Sequence, residues 1–117
     1  MRSRIIIVVA AILVFSATAA LADGALAVGE GAKFGVSRNH PNPHRAERVA
    51  MENCGGGDCH IVLNFRNVCA ALAHSPNGSN GWATGRDEHW ARERAIEFCR
   101  EHGGHHCEIV TVQCDGQ

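Results

Sequence analysis

The stretch Ala46-Glu-Arg-Val-Ala50-Met-Glu-Asn-Cys54 recurs further along the chain as Ala91-Arg-Glu-Arg-Ala95-Ile-Glu-Phe-Cys99. In each copy the two alanines and the cysteine have the spacing of residues that share one face of a helix. A second cysteine then opens an apolar run, Cys59-His-Ile-Val-Leu63 in the first copy and Cys107-Glu-Ile-Val-Thr111 in the second. The pattern therefore predicts a unit that occurs twice, in which a helix with a small-residue face is followed by a strand.

Local signals extend each copy to a strand-strand-helix-strand unit, over about residues 24–66 and 69–115. Asn42 and Pro43 are typical of an N-cap and a first helical residue, and Gly55 is a stop signal. Thr84 or Asp87 is expected to cap the second helix. Two such units most simply form one α+β domain: an antiparallel-rich sheet with both helices on one face, stabilised by disulfides.

Two further predictions concern the faces on which strand residues lie and the residues that are equivalent in the two units. Alternation in the strand after the first helix places Ile61, Leu63 and Phe65 on one face. In the second unit, Trp82 is expected to take the place of Phe34 and to lie in the core.

The first 22 residues have the features of a secretory signal peptide. Arg2 and Arg4 precede an apolar stretch over residues 5–15, and Ala20-Leu21-Ala22 supplies a small-x-small cleavage site before Asp23. The apolar stretch is shorter than the ~20 residues that a membrane-spanning helix needs. We therefore expect residues 1–22 to be removed and residues 23–117 to form a single periplasmic or secreted domain, with no membrane attachment after cleavage.

The chain has six cysteines, an even number that indicates a disulfide framework in an exported protein. Six cysteines allow fifteen pairings, and the sequence alone does not choose among them. If equivalent cysteines make equivalent bonds, the duplicated pattern favours Cys54–Cys59, Cys99–Cys107 and Cys69–Cys114.

The charge balance argues against nucleic acid as a partner. The chain has 11 basic and 12 acidic residues, a formal net charge of −1, and Lys33 is its one lysine. Phosphate-binding surfaces depend on clustered lysine and arginine, and this chain has no basic run.

The strongest chemical candidate is a metal site of His102, His105 and His106 beside Cys107. Imidazole and thiolate suit zinc or copper, but the spacing is not that of a zinc finger, and oxidation would remove the thiolate. The three histidines are therefore weak metal candidates, and the alternative is a solvated loop at the end of a helix. We expect no cofactor.

Catalytic signals are weak. No Gly-x-Ser-x-Gly motif is present, and a cysteine nucleophile requires a thiol outside the disulfide framework. Glu52 and Asp58 could form a catalytic carboxylate pair of the kind that glycosidases use, but nothing in the sequence around them distinguishes them. We therefore predict no catalytic residue and no enzymatic activity.

Trp90 is the preferred contact residue. It occupies the position of Arg45 in the first unit, on the polar side of the helix, so it is expected to be partly exposed. Large aromatic side chains at a protein surface are typical binding anchors.

Taken in order, these features resemble the bacterial family called domain of unknown function 4189. The resemblance rests on Gly24-Ala-Leu-Ala27, Cys59-x-Ile-Val-x-x-Phe65, Cys69-Ala-Ala-Leu-Ala73, Gly81-Trp-Ala-Thr84 and Cys107-x-Ile-Val-x-Val-x-Cys114, together with the two Ala-x-x-x-Ala-x-x-x-Cys helices. It implies a small exported protein without an assigned reaction, and for some members a host-directed role.

The sequence as a whole predicts an exported binding or interaction module whose partner is an envelope or extracellular protein. Histidine-mediated metal binding in the periplasm and a host-directed secreted effector are the alternatives.

Overall fold

The computed structural model describes residues 21–116, so nearly all of the predicted signal peptide lies outside the described residues. The predicted order of strand, strand, helix and strand is present twice. The elements are β1 (Asp23–Val28), β2 (Phe34–His40), α1 (Pro43–Cys54), β3 (His60–Arg66), β4 (Cys69–His74), β5 (Asn80–Gly85), α2 (Glu88–Glu101) and β6 (Glu108–Cys114). The α+β class is confirmed.

The strands form two three-stranded antiparallel sheets, with the orders β2-β1-β3 and β5-β4-β6. The prediction of one sheet with both helices on one face is wrong. In each half the first strand is central and paired on both edges, and no strand of residues 21–66 pairs with a strand of residues 69–116. Helix α1 packs on β1, β2 and β3, and α2 packs on β4, β5 and β6.

The reason for two sheets lies in the central strands, which bury both of their faces. Ala25 and Ala27 of β1 pack against α1, whereas Leu26 and Val28 point the other way and pack with Leu72 of β4. Leu26 and Leu72 are almost completely buried. The larger apolar side chains therefore form a layer between the sheets, and the helices cover the outer faces.

Each helix lies very close to its sheet because small residues face each other at the centre of the contact. Ala46 and Ala50 have no exposed surface, and Gly35 of β2 lies directly under α1. A Cβ at Gly35 would collide with the carbonyl oxygen of Ala50, and a Cβ at Gly81 would collide with that of Ala95. Both halves thus place a glycine of the second strand against the helix backbone.

A β-bulge changes the expected faces of β3. Leu26 pairs with Leu63 and Ala27 pairs with Ile61, so Val62 is an extra residue in the ladder. Ile61 therefore packs with the α1 cluster while Leu63 packs between the sheets, and the prediction that they share a face is wrong. A bulge at Val110 occupies the corresponding place in β6.

The helix ends follow the predicted signals. The side chain of Asn42 accepts a hydrogen bond of 2.8 Å from the backbone N–H of Arg45, Pro43 begins α1, and Gly55 ends it in the left-handed conformation. Of the two caps considered for α2, Asp87 is the one used. No helix within residues 21–116 is long and apolar enough to cross a membrane.

All six cysteines are disulfide-bonded, in the pairs Cys54–Cys59, Cys99–Cys107 and Cys69–Cys114. These are the pairs that the duplicated pattern favours. The first two join the end of a helix to the start of the following strand. In the third, Cys69 and Cys114 are directly opposite each other on adjacent strands, with their Cα atoms 3.9 Å apart.

We predict that Gly81→Ala destabilises the protein by about 3 kcal/mol, because the added methyl group must displace the backbone of α2. Gly57→Ala is the matched control, since a Cβ at that position meets no atom within 4 Å. Thermal unfolding followed by circular dichroism measures both. Equal melting temperatures for the two variants would contradict the close-packing account.

Candidate contact surface

Trp90 lies in the first turn of α2, where its backbone N–H donates a hydrogen bond of 2.9 Å to the side chain of the N-cap Asp87. The next residue, Ala91, begins the stripe that faces the sheet, so Trp90 projects away from it. Trp90 is 43% exposed, more than any other tryptophan or phenylalanine within residues 21–116. A tryptophan fixed at a helix start and exposed to this degree has apolar surface available to a partner.

Two arginines flank this tryptophan. The guanidinium carbon of Arg86 lies 5.7 Å from the centre of the Trp90 ring, within the range of a cation–π contact. Arg94 follows one helical turn later, and these three residues with Gly85 line a depression of about 280 Å³. We call these four residues the Trp90 surface.

The positive charge of the Trp90 surface is only weakly neutralised. Arg94 has no ion-pair partner among the described residues, and Arg86 has only a contact of 3.9 Å with the exposed carboxylate of Asp87. Both guanidinium groups therefore retain hydrogen-bond donors for an external acceptor.

A second depression, of about 370 Å³, continues along α2 and shares Arg94 with the first. The ring centres of Trp82 and Phe98 are 5.1 Å apart on its wall. Trp82 is half-buried and also packs in the layer between the sheets, as a core residue does. Its equivalent in the first half is Val36, since Trp82 pairs with Leu72 as Val36 pairs with Leu26, and the expected match to Phe34 is wrong.

The three histidines considered as metal ligands serve different local contacts. His102 stacks on Phe98, and its Nδ1 lies 2.8 Å from the Phe98 carbonyl oxygen. His105 and His106 follow in an exposed loop, where the backbone of His105 is held by the hydroxyl of Ser75. Within residues 21–116 no three His, Cys, Asp or Glu side chains are placed to hold one metal ion.

Asp58, one of the two carboxylates left open as a catalytic pair, ties the β1–β2 turn to the loop before β3. Its Oδ2 accepts a hydrogen bond of 2.6 Å from the backbone N–H of Glu30, and its Oδ1 lies 3.0 Å from Lys33 Nζ. These contacts lower the pKa of Asp58 to about 2, and the hydrogen bond from the Glu30 N–H has the largest effect. A carboxyl group this acidic carries no proton at neutral pH and is unsuited to act as a general acid.

Sequence reasoning missed two buried carboxyl groups at the junction of the two halves. Asp23 at the start of β1 pairs with Arg66, with 2.9 Å between Oδ2 and Nη1. Asp115, after β6, is only 2% exposed, and neither of its side-chain oxygens has a hydrogen-bond partner among the described residues. Burial raises the pKa of Asp115, against the smaller opposite effect of the nearby N–H groups of Asn67 and Asn39. No local pattern in the sequence marks either residue as buried, because both are covered by distant segments.

Comparison with known proteins gives one family and several relatives. The family model described as "Domain of unknown function (DUF4189)" matches residues 24–114. Uncharacterized protein Rv1813c of Mycobacterium tuberculosis is 33% identical over 92 residues, which make up 79% of this chain and 59% of that protein. Uncharacterized protein Mb1843c of Mycobacterium bovis matches to the same extent. The chain thus spans 59% of the length of these curated relatives.

The fold is also similar to a solved structure. The NMR structure of Rv1813c matches with a TM-score of 0.63 at 31% sequence identity, covering 80% of this chain and 75% of that one.

We predict that Asp58→Asn lowers the melting temperature at pH 6 and that the difference disappears near pH 2. The folded-state pKa of Asp58 lies below the ordinary aspartate value of 3.8, so its charge stabilises the fold above that pH. This contribution is lost as the pH falls from 3.8 to about 2. Thermal unfolding at both pH values measures the effect, with Glu52→Gln as a control for an exposed carboxylate. An Asp58→Asn protein as stable as the wild type at pH 6 would show that these contacts do not matter.

Proposed function

We propose that this protein, which belongs to the bacterial DUF4189 family, is an exported binding module and not an enzyme. The observation that carries the proposal is the exposed Trp90 between two arginines with little ion pairing of their own. Tryptophan and arginine are the residue types most enriched among the side chains that dominate protein–protein binding energy. The Trp90 surface is therefore the proposed site of contact.

The scaffold beneath this surface is suited to binding because it is rigid. Trp90 is fixed by the Asp87 cap, Ala91 and Ala95 have no exposed surface, and the far end of α2 is linked to β6 through Cys99 and Cys107. A surface held in one conformation loses little entropy when it binds. The Cys99–Cys107 disulfide thus favours affinity as well as stability.

Export is the second part of the proposal. The leader-like residues 1–22 predict secretion, and three disulfides persist only where the surroundings are oxidising. We place the protein in the periplasm or outside the cell. Its partner is then a protein of the envelope or the extracellular space.

The side chains that an enzyme would need support binding in preference to catalysis. Every cysteine is in a disulfide, so no thiolate is present to act as a nucleophile or a metal ligand. Asp58 is held as a structural ion pair, and the carboxylate of Asp23 is paired with Arg66. Turnover of a substrate by the pure oxidised protein, abolished by a single side-chain change, would overturn this part of the proposal.

We also propose that the two halves arose by duplication of one unit. The two sheets have corresponding strand orders, the bulges at Val62 and Val110 correspond, and Gly35 and Gly81 contact their helices in the same way. Arg45 and Trp90 occupy equivalent positions in the two helices. In this view the second unit acquired its contact residue when a tryptophan came to occupy that position.

We predict that a photo-crosslinking residue at position 90 gives a defined adduct with one envelope or extracellular protein in the producing cells. The same residue at Arg48, an exposed position of α1, is the matched control and should not give that adduct. Mass spectrometry of the adducts identifies the partner. Identical adducts from both positions, or none from position 90, would contradict the assignment of the Trp90 surface.

With the partner in hand, Trp90→Ala should weaken binding roughly tenfold or more, because truncation of a central aromatic anchor removes a large share of the binding energy. Arg94→Ala should weaken it less, and Arg48→Ala should have no effect. Isothermal titration calorimetry measures all three. Equal affinity of the Trp90→Ala and wild-type proteins would place the contact elsewhere.

A further inference from the structure

The carboxyl group of Asp115 is buried without an ion pair among residues 21–116, and the nearby backbone N–H groups of Asn67 and Asn39 do not complete a hydrogen bond with it. It is 2% exposed, and neither oxygen accepts a hydrogen bond from any residue within 21–116. Buried polar groups in folded proteins are nearly always paired, because an unpaired one loses the hydration that it had in water. Something outside the described contacts is therefore expected to satisfy this group.

The backbone around Asp115 fixes where the carboxyl group lies. The N–H of Asp115 donates a hydrogen bond of 3.0 Å to the carbonyl oxygen of Val68, and the N–H of Gly116 donates one of 2.8 Å to the side chain of Asn39. These contacts hold the carboxyl group over the start of β1. A Cβ placed on Gly24 would lie only 2.7 Å from Asp115 Oδ2.

This region has too little positive charge for its carboxyl groups. Asp23 is buried and forms an ion pair with Arg66, with 2.9 Å between Oδ2 and Nη1. Asp115 has no ion pair among the described residues. The charge of Asp23 also disfavours ionisation of Asp115, and that of Arg66 favours it only weakly. A second cation close to Asp23 and Gly24 would balance the charges.

The predicted processing of the chain creates such a cation at this place. Hydrolysis of the Ala22–Asp23 peptide bond by a leader protease consumes one water, leaves a carboxylate on Ala22 and frees the amine of Asp23. At neutral pH this α-amine takes up a proton and becomes an ammonium group. It then stands one residue from Gly24, which lies against Asp115.

We propose that the α-ammonium group of mature Asp23 is the partner of the buried Asp115 carboxylate. The inference rests on the proposed export of the chain. In the precursor the same nitrogen is an uncharged amide, so the ion pair exists only after cleavage. Ala22 is itself 2% exposed, so the bond to be cut is poorly accessible once this part of the chain has folded. Processing thus supplies a contact that holds the first strand to the end of the last.

The first test is the N-terminus of the exported protein. Sequencing by Edman degradation should begin Asp-Gly-Ala-Leu, and any other first residue overturns the proposal. The binding role of the Trp90 surface does not depend on this result, because Trp90 lies on α2 and the crosslinking experiment reports on it separately.

The second test combines acetylation of the α-amine with the Asp115→Asn substitution, in the manner of a double-mutant cycle. The α-amine of the exported protein is acetylated in urea with the disulfides intact, at a pH where α-amines react before lysine, and the protein is refolded. Mass spectrometry checks that Lys33 is unmodified. Acetylation should lower the melting temperature of the wild type by about 5 °C and leave that of Asp115→Asn unchanged.

Asp58→Asn is the matched control, because it changes a carboxylate far from the N-terminus in the sequence whose partners are Glu30 and Lys33. It should show the same drop on acetylation as the wild type. An equal effect of acetylation with and without the Asp115 carboxylate, or no effect at all, overturns the pairing.

A kinetic measurement covers the case in which Asp115→Asn does not fold. An ion pair that raises the pKa of the α-amine by one unit reduces the reactive free amine about tenfold. Acetylation of the folded wild-type protein should therefore be at least about tenfold slower than acetylation in urea. Equal rates in the two conditions overturn the proposal.

Discussion

The contact of each helix backbone with a glycine of its sheet is the constraint on which the rest of the structure depends. Gly35 and Gly81 leave no room for a Cβ, and the alanines that surround them have no exposed surface. A helix that lies this close covers the central strand of its sheet mainly with alanine and cysteine side chains. Much of the apolar volume of the central strands must then be buried on their other face, and Leu26 and Leu72 bury it by packing the two sheets together. The layered arrangement thus follows from small residues at a few positions.

Much of the local structure was readable from the sequence, because it depends on near neighbours. The helix caps at Asn42 and Gly55, the order of elements and the three-residue helix face all follow from short-range chemistry. The number of sheets was not predicted correctly, although a clue was present. The strand Gly24-Ala-Leu-Ala-Val alternates small and large apolar residues, which is typical of a strand buried on both faces. The bulge at Val62 depends on pairing with a distant strand, and no local signal marks it.

In the candidate site, too, some features follow from near neighbours in the sequence and others depend on distant segments. The exposure of Trp90 followed from its place on the helix opposite Ala91 and Ala95, which the helical period alone determines. The neighbouring contributions of Arg86 and Gly85 required the β5–α2 geometry. The burial of Asp115 results from contacts with Gly24, Asn39 and Val68, which are far from it in sequence, and no local pattern predicts them. The features that the sequence did not predict are therefore found mainly where segments from the two halves meet.

The disulfide pattern has a consequence for how the molecule is held together. Cys54–Cys59 lies in the first half, and Cys99–Cys107 and Cys69–Cys114 lie in the second, so no disulfide joins the halves. Oxidation constrains each half separately, while their mutual arrangement depends on the apolar layer around Leu26 and Leu72 and on contacts such as the hydrogen bond from Gly116 to Asn39. A molecule with all three correct disulfides can thus still have its halves apart. A correct disulfide map shows that the cysteines have paired properly, but the native assembly has to be judged from the layer between the sheets.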